Sequence, residues 1–132
     1  MDKKPHLPCP ACGYLVFAGP PGSYDICPVC FWEDDGLQLE FATTLAGGAN
    51  HMTLFEWQAR YAQNADHYPD LEPCVHLPGP AEQRDPAWRP IDRRVDRFPD
   101  WDAPRATRAP HGQTEALYYW HPLYWMRGPS DG

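Results

Sequence analysis

The chain has 132 residues, which suits one domain and excludes large multidomain enzyme architectures. Its 17 prolines disfavour long helices over most of the chain, and its formal net charge of -7 opposes general binding to nucleic acid. A hydrophobic fraction of 42% and an aromatic fraction of 14% predict a folded protein. No stretch reaches the roughly 18 apolar residues of a membrane span, and the first residues lead into no apolar export signal, so we expect a cytoplasmic location.

Short β-prone runs occupy the first third of the chain. Residues 14–17 (YLVF) and 24–26 (YDI) lie on either side of the turn-rich segment 18–22 (AGPPG), a pattern that predicts a hairpin. In residues 37–41 (LQLEF), apolar and polar side chains alternate with period two. We therefore expect a third strand there.

The forty-residue window without proline, from Val29 to Tyr68, is the place where a helix of normal length fits. Thr53 and Glu56 match a capping box, and apolar residues follow at helical spacing. The sequence predicts a helix from about Leu54 to Ala65. Residues 47–50 (GGAN) precede it without the lysine of a phosphate-binding loop, so we expect a loop that lets the backbone turn.

Two C-x-x-C pairs, separated by residues 13–26, are the most informative motif. Each pair can place two sulfurs on the same side of one tight turn, and four converging thiolates make a tetrahedral metal site. A reducing compartment argues against disulfides, and a redox dithiol is usually a single pair before a helix. The motif predicts one metal ion held by Cys9, Cys12, Cys27 and Cys30.

A site closed by four cysteines leaves no coordination position for water or substrate, so the metal is expected to be structural. Zinc and a rubredoxin-like iron both accept four sulfur ligands. The spacing falls near the zinc-ribbon range, which favours one structural zinc ion. An iron-bearing electron carrier stays open as an alternative.

Three runs of the sequence, CPACGYLVF, PGSYDICPVCFWEDDGLQLE and GGANHMTLFEWQARYA, resemble the bacterial cysteine-rich CPCC family. The resemblance covers about Leu7 to Ala65, with a weaker echo in RDPAWRP at residues 84–90. It implies a small zinc-ribbon-type protein with metal at the four cysteines, and it implies no activity or substrate. The CPCC motif reads CPAC here, so Ala11 replaces its third cysteine and leaves the four ligands intact.

Other candidate residues are weaker. Cys74 lies close to His76, but neighbours in sequence need not converge in space, and we expect a thiol that is neither nucleophile nor ligand. His6, three residues before Cys9, is at most an alternative ligand. With no convincing catalytic group in the sequence, we do not expect an enzyme.

Two segments are candidate partner surfaces. Glu33, Asp34 and Asp35 follow the second cysteine pair, and they predict either a solvated turn or an acidic surface for a basic partner. Residues 117–125 (LYYWHPLYW) hold five aromatic side chains. We expect a terminal strand that covers the sheet, or an interface in which Trp120 and Trp125 are exposed anchors.

The predicted fold is a small α+β domain: a zinc-ribbon-like antiparallel sheet, one packed helix, and a proline-rich C-terminal extension ending in an aromatic strand. Residues 1–78 form the cysteine-bearing part, and residues 79–132 wrap around it in the same compact unit. The predicted function is a non-enzymatic zinc-binding module that binds another protein, in the manner of an inhibitor or immunity protein that occludes a toxin. A nucleic-acid accessory protein is a further alternative if one basic face is formed by Arg84, Arg89, Arg93, Arg94 and Arg97.

Overall fold

Two short strands enclose the first cysteine pair. The computed structural model describes four parts of the chain, residues 6–64, 83–102, 109 and 114–126. Strand β1 (Leu7–Pro8) pairs antiparallel with strand β2 (Leu15–Phe17), and the register is irregular between Leu7 and Pro8. The loop that joins these strands carries the first two cysteines.

The hairpin predicted between residues 14–17 and 24–26 is wrong. Strand β2 has β1 as its partner, whereas Ile26 forms an isolated antiparallel bridge with Glu33 across the second cysteine pair. Each C-x-x-C pair makes its own tight turn, and the backbone that enters a turn pairs with the backbone that leaves it. Residues 18–22 are a connection between these two ribbons and not the tip of a hairpin.

The third strand predicted at residues 37–41 is also wrong, because a short helix, α1 (Gly36–Glu40), occupies this segment. Asp35 is its N-cap, and the carboxylate accepts hydrogen bonds from the backbone N–H groups of Leu37 and Gln38 at 2.9 and 3.2 Å. The polar residues Gln38 and Glu40 are buried together with Leu39, whereas Leu37 is half-buried, so the alternation in sequence does not mark an exposed and a buried face.

Helix α2 (Leu54–Asn64) confirms the predicted helix. The capping box is formed as expected: the Glu56 carboxylate accepts a hydrogen bond from the Thr53 backbone N–H at 3.0 Å, and the Thr53 hydroxyl accepts one from the Glu56 N–H at 3.1 Å. Both bonds satisfy backbone donors that the first turn of a helix leaves free. The buried face of α2 includes Trp57, Gln58 and Tyr61.

A buried polar network holds the loop between the two helices. The side-chain amide of Gln38 donates to the carbonyls of Leu45, Asn50 and Met52 at 3.2, 3.0 and 3.0 Å, and its oxygen accepts from the Asn50 backbone at 2.9 Å. Gly47 supplies a backbone turn at a φ of 85°. The loop predicted at residues 47–50 is confirmed, and its role is to fix the entry into α2.

The aromatic strand predicted at the C-terminal end is not formed. Residues 114–117 are a 3₁₀ helix, and the residues that follow to 126 are turns. The aromatic side chains nevertheless belong to the core, as the covering role required. Tyr119 is fully buried, with its ring edge-on to Phe98 at a centroid distance of 5.6 Å.

The described residues form an α+β structure with one two-stranded sheet, and its core gathers around the cysteines. Side chains from residues 88–98 and 117–126 pack against the same core as the N-terminal part. The predicted boundary at residue 78 lies outside the described residues and stays a prediction. No helix in the described part combines the length and apolar character that crossing a bilayer requires.

Candidate metal centre

Two loops of nearly the same backbone design carry the cysteine pairs. In the first, the Cys9 N–H donates to the Tyr14 carbonyl at 2.9 Å, and the Gly13 N–H donates back to the Cys9 carbonyl at 2.6 Å. In the second, the Cys27 N–H donates to the Trp32 carbonyl at 2.8 Å, and the Phe31 N–H donates to the Cys27 carbonyl at 2.9 Å. We call these loops the first and second knuckles, residues 9–13 and 27–31.

The last residue of each knuckle has a left-handed backbone. Gly13 has a φ of 84°, as the glycine after the first pair leads one to expect. Phe31 holds the same place in the second knuckle with a φ of 72°. Residues other than glycine rarely adopt this conformation. At Phe31 the residue type therefore does not indicate it, and only the repeat of the C-x-x-C motif does.

The four thiols converge as a tetrahedral site requires. All four Sγ atoms lie within 4.8 Å of one another, and the pairs Cys9–Cys30 and Cys12–Cys27 are each separated by 3.7 Å between sulfurs. Bonds of about 2.3 Å to a tetrahedral zinc ion place sulfurs about 3.8 Å apart. All four residues are 0% exposed. The cluster could therefore hold a metal ion, and the residues present fit one.

Burial and hydrogen bonding affect the pKa values of Cys9, Cys27 and Cys30 differently. Burial raises the pKa of Cys9 and Cys30 well above the usual value. Burial acts in the same direction at Cys27, but hydrogen bonds from the other three thiols and from the Cys30 N–H hold the Cys27 pKa well below it. The N–H groups of Val29 and Cys30 point at the Cys27 sulfur at 3.3 and 3.4 Å. Thiolate is the form that binds metal.

The carbonyl groups of the knuckles are held by side chains from distant parts of the chain. The Pro10 carbonyl accepts hydrogen bonds from the Gln58 amide at 2.8 Å and from the Trp88 indole at 3.0 Å. On the second knuckle, the Cys30 carbonyl accepts a bond from the Trp57 indole at 3.1 Å. Both knuckles are thereby fixed to α2. Sequence reasoning assigned no role to Gln58 or Trp88, because hydrogen-bond partners so far apart leave no local pattern.

Residues 83–89 fasten onto the first knuckle. Arg84 donates from Nε to the Cys12 carbonyl at 2.8 Å, and its guanidinium lies 4.7 Å from the Tyr14 ring centroid and 5.1 Å from that of Trp88. The Asp85 N–H donates to the Gly13 carbonyl at 2.8 Å. These contacts give a structural role to the RDPAWRP run, which the sequence marked only as an echo of the family pattern.

The acidic segment after the second knuckle is mostly internal. Asp34 is 2% exposed and accepts hydrogen bonds from the Ser23 N–H and hydroxyl, and Asp35, 5% exposed, caps α1 and accepts from the Ala49 N–H at 3.0 Å. The expectation of three adjacent carboxylates facing solvent is not met, because two of them satisfy backbone donors. Glu33 is half-buried, and partner binding by Glu33 stays a prediction.

The two C-terminal tryptophans differ in exposure. Trp120 is 6% exposed, stacks on Tyr118 at 4.8 Å, and donates from its indole to the Asp85 carboxylate at 3.1 Å. This position contradicts an exposed anchor at Trp120, since the ring fills the core. Trp125 is half-buried, and its backbone N–H donates to the Ala116 carbonyl at 2.9 Å.

Most of the proposed basic face is engaged within the chain. Besides Arg84, Arg89 makes a two-bond ion pair with Asp96, each bond 2.7 Å long, and Arg94 pairs with Asp92. His6 is exposed and is not part of the cysteine cluster in the described residues. Cys74 and His76 lie outside the described residues, so their assignment stays a prediction.

Comparison with known proteins bears on the first half of the chain. The family model described as Cysteine-rich CPCC matches residues 7–71, a segment that contains both knuckles and both α-helices. The match confirms the family resemblance seen in the sequence. No curated protein matches the chain, and no solved structure does.

Proposed function

We propose that this chain is a non-enzymatic, zinc-binding module for protein–protein interaction. The chain belongs to the cysteine-rich CPCC family over residues 7–71. The observation that carries this proposal is the complete burial of four converging cysteines. Four sulfur ligands leave the ion no position for a substrate, and they tie two distant loops together. Such an ion supplies rigidity, and a rigid surface loses less entropy when it binds a partner.

The charge of the chain supports a basic protein as the partner. The formal net charge is -7, and an acidic surface speeds encounter with a protein of opposite sign. We propose an inhibitor or immunity protein that occludes a bacterial toxin as the specific form of this function. A nucleic-acid accessory role has less support, because Arg84, Arg89 and Arg94 are engaged with groups of the same chain.

The first experiment measures the metal. We expect one zinc ion per chain by elemental analysis, and chelation should unfold the knuckles because binding energy is here folding energy. Cys27→Ser should lose both metal and stability, whereas the matched control Cys74→Ala should keep one metal and change stability by at most about 1–2 kcal/mol. A verified metal-free chain that keeps full thermal stability would contradict a structural ion.

The second experiment concerns the partner. The zinc-loaded chain is used to capture proteins from its native cell, and a captured protein is then tested for a defined complex and for loss of its own activity. A basic protein that is inhibited supports the inhibitor role. Salt-sensitive retention of DNA or RNA instead of protein would contradict it.

An iron-bearing electron carrier is the second candidate. Hydrogen bonds to ligand sulfurs tune the reduction potential of iron–sulfur sites, and the Cys27 sulfur receives two from backbone N–H groups. Colour in the purified chain and a reversible one-electron reduction would favour iron over zinc. A purified chain that is colourless and contains zinc would contradict the electron-carrier role.

A further inference from the structure

An open cavity lies beside the second knuckle. Its volume is about 190 Å³, smaller than the roughly 300 Å³ at which pockets for small molecules begin. The cavity is lined by Phe31 of the knuckle, the bridge pair Ile26 and Glu33, Trp57 of α2, and residues 49–51 of the loop before α2. A cavity of this size suits a single large side chain better than a whole cofactor.

The lining of the cavity combines apolar and polar side chains, namely those of Ile26, Phe31, Ala49 and Trp57 beside those of Glu33, Asn50 and His51. Ile26 is 50% exposed, and Phe31 is half-buried. His51 is exposed and lies edge-on to the Trp57 ring, with 5.7 Å between the ring centroids. Three of the lining residues, Phe31, His51 and Trp57, thus carry aromatic rings.

Glu33 brings the negative charge of the cavity. Its backbone is clamped by the Asn50 side chain, which accepts from the Glu33 N–H at 2.9 Å and donates to its carbonyl at 2.8 Å. Within the described residues, no group donates a hydrogen bond or forms an ion pair to the Glu33 carboxylate. A fixed backbone therefore carries an unpaired carboxylate on a residue that lines the cavity.

The backbone conformation of Phe31 is a further observation at this cavity. A left-handed residue other than glycine costs about 1–2 kcal/mol, and the first knuckle avoids that cost with Gly13. The second knuckle retains a large ring at this position, where it forms part of the cavity wall. An observed backbone outlier of this kind is a reason to look for function beside it.

We infer that this cavity receives the side chain of an arginine from a partner protein. The inference rests on the proposed function and names the contact that such a partner makes. A guanidinium is planar, stacks on aromatic faces and pairs with a carboxylate through two parallel hydrogen bonds, so Glu33 and the aromatic rings of the lining satisfy different parts of it. Arg60 of this chain already lies over the Trp57 ring, 5.3 Å from its centroid. The attraction to the guanidinium of a partner therefore comes from Glu33 and not from the indole.

The test uses the metal-loaded full chain, labelled with ¹⁵N, and Nα-acetyl-arginine amide as the probe. The neutral analogue Nα-acetyl-citrulline amide has nearly the same shape without the charge. We expect saturable NMR shifts at Ala49, at His51 and at the Trp57 indole N–H, with arginine binding at least about threefold more tightly than citrulline. Equal affinity of the two probes, or shifts confined to other parts of the chain, would overturn the inference.

Two pairs of variants locate the contact. Glu33→Gln should abolish the preference for arginine, whereas Glu115→Gln, an exposed carboxylate in the 3₁₀ helix, should keep it. Ala49→Leu should fill the cavity and weaken binding of the arginine probe at least threefold. Ala46→Leu, an exposed alanine of the same loop outside the cavity lining, should leave binding unchanged. A preference for arginine that survives Glu33→Gln would overturn the assignment.

Failure of this inference is distinct from failure of the proposed function. If neither probe binds while the zinc-loaded chain still captures and inhibits a protein, the arginine contact is wrong and the interaction role stands. If the arginine probe binds as expected but the chain forms no complex with any protein, the preference of the cavity for a guanidinium is correct, whereas its use by a partner protein is wrong together with the interaction role.

Discussion

Replacement of Gly13 by alanine tests how the first knuckle is enclosed. A Cβ atom at this position would lie 2.5, 2.7 and 2.8 Å from three atoms of the Trp88 ring system. The ring cannot retreat without cost, because its indole N–H donates to the Pro10 carbonyl and Arg84 stacks beside it. The substitution also places a side chain at a φ of 84°.

The expected loss has two parts. The left-handed backbone costs an alanine about 1–2 kcal/mol. Overpacking against a fixed ring costs a further 1–3 kcal/mol or so. Gly47→Ala is the matched control, since Gly47 has a φ of 85° with no atom within 4 Å of the added Cβ, so only the backbone cost applies. Gly13→Ala should therefore destabilise the chain by about 1–3 kcal/mol more than Gly47→Ala.

The assay is urea unfolding at a fixed free zinc concentration, because metal release otherwise adds to the measured stability. The variant Gly13→Ala/Trp88→Leu should lose less than the two single variants predict together, since the smaller side chain makes room for the Cβ. Equal losses for Gly13→Ala and Gly47→Ala, with strictly additive effects in the double variant, would refute the packing of Trp88 on the knuckle.

Three further predictions concern other parts of the structure. Thr53→Ala should cost about 1 kcal/mol in urea unfolding through loss of the capping box, and an unchanged midpoint would argue against it. Gln38→Leu should cost about 3 kcal/mol or more, because it leaves buried carbonyls without donors; a loss below about 1 kcal/mol would contradict the network. Burial raises the pKa of Asp34 above its usual 3.8, so the folded state holds this proton more tightly and the ionised form costs stability at neutral pH. Asp34→Asn should be more stable than the parent at neutral pH, and the advantage should shrink as the pH falls through the folded pKa; a gap that widens on acidification would reverse the sign.

The features predicted correctly are those that rest on local chemistry. Each C-x-x-C pair predicts a tight turn from its own four residues. The reciprocal hydrogen bonds of Thr53 and Glu56 likewise depend only on the first turn of the helix. The same local reasoning failed for residues 37–41. A helix of five residues is too short for periodicity to separate it from a strand, and the decisive signal was the capping carboxylate of Asp35 immediately before it.

The surroundings of the cysteines could not be read from the sequence, because they depend on distant contacts. Gln58 joins the Pro10 carbonyl to the Tyr119 hydroxyl, and its own oxygen accepts from the Ile91 N–H. One buried amide thus links three segments far apart in the chain. An acidic pair such as Asp34 and Asp35 also cannot be recognised as internal until the donors that it satisfies are known.

Each knuckle ends in a residue with a left-handed backbone, and the two knuckles use different residue types there, Gly13 and Phe31. At Gly13 the space that a side chain would occupy is filled by the Trp88 ring, which therefore covers the first knuckle there. At Phe31 the side chain is retained, and a cavity with an unpaired carboxylate lies beside it. Had rigidity been the sole requirement, a glycine covered by a distant ring would have served both knuckles at lower backbone cost. The proposed arginine contact accounts for this asymmetry, because it uses the ring that the strained residue of the second knuckle carries at the cavity.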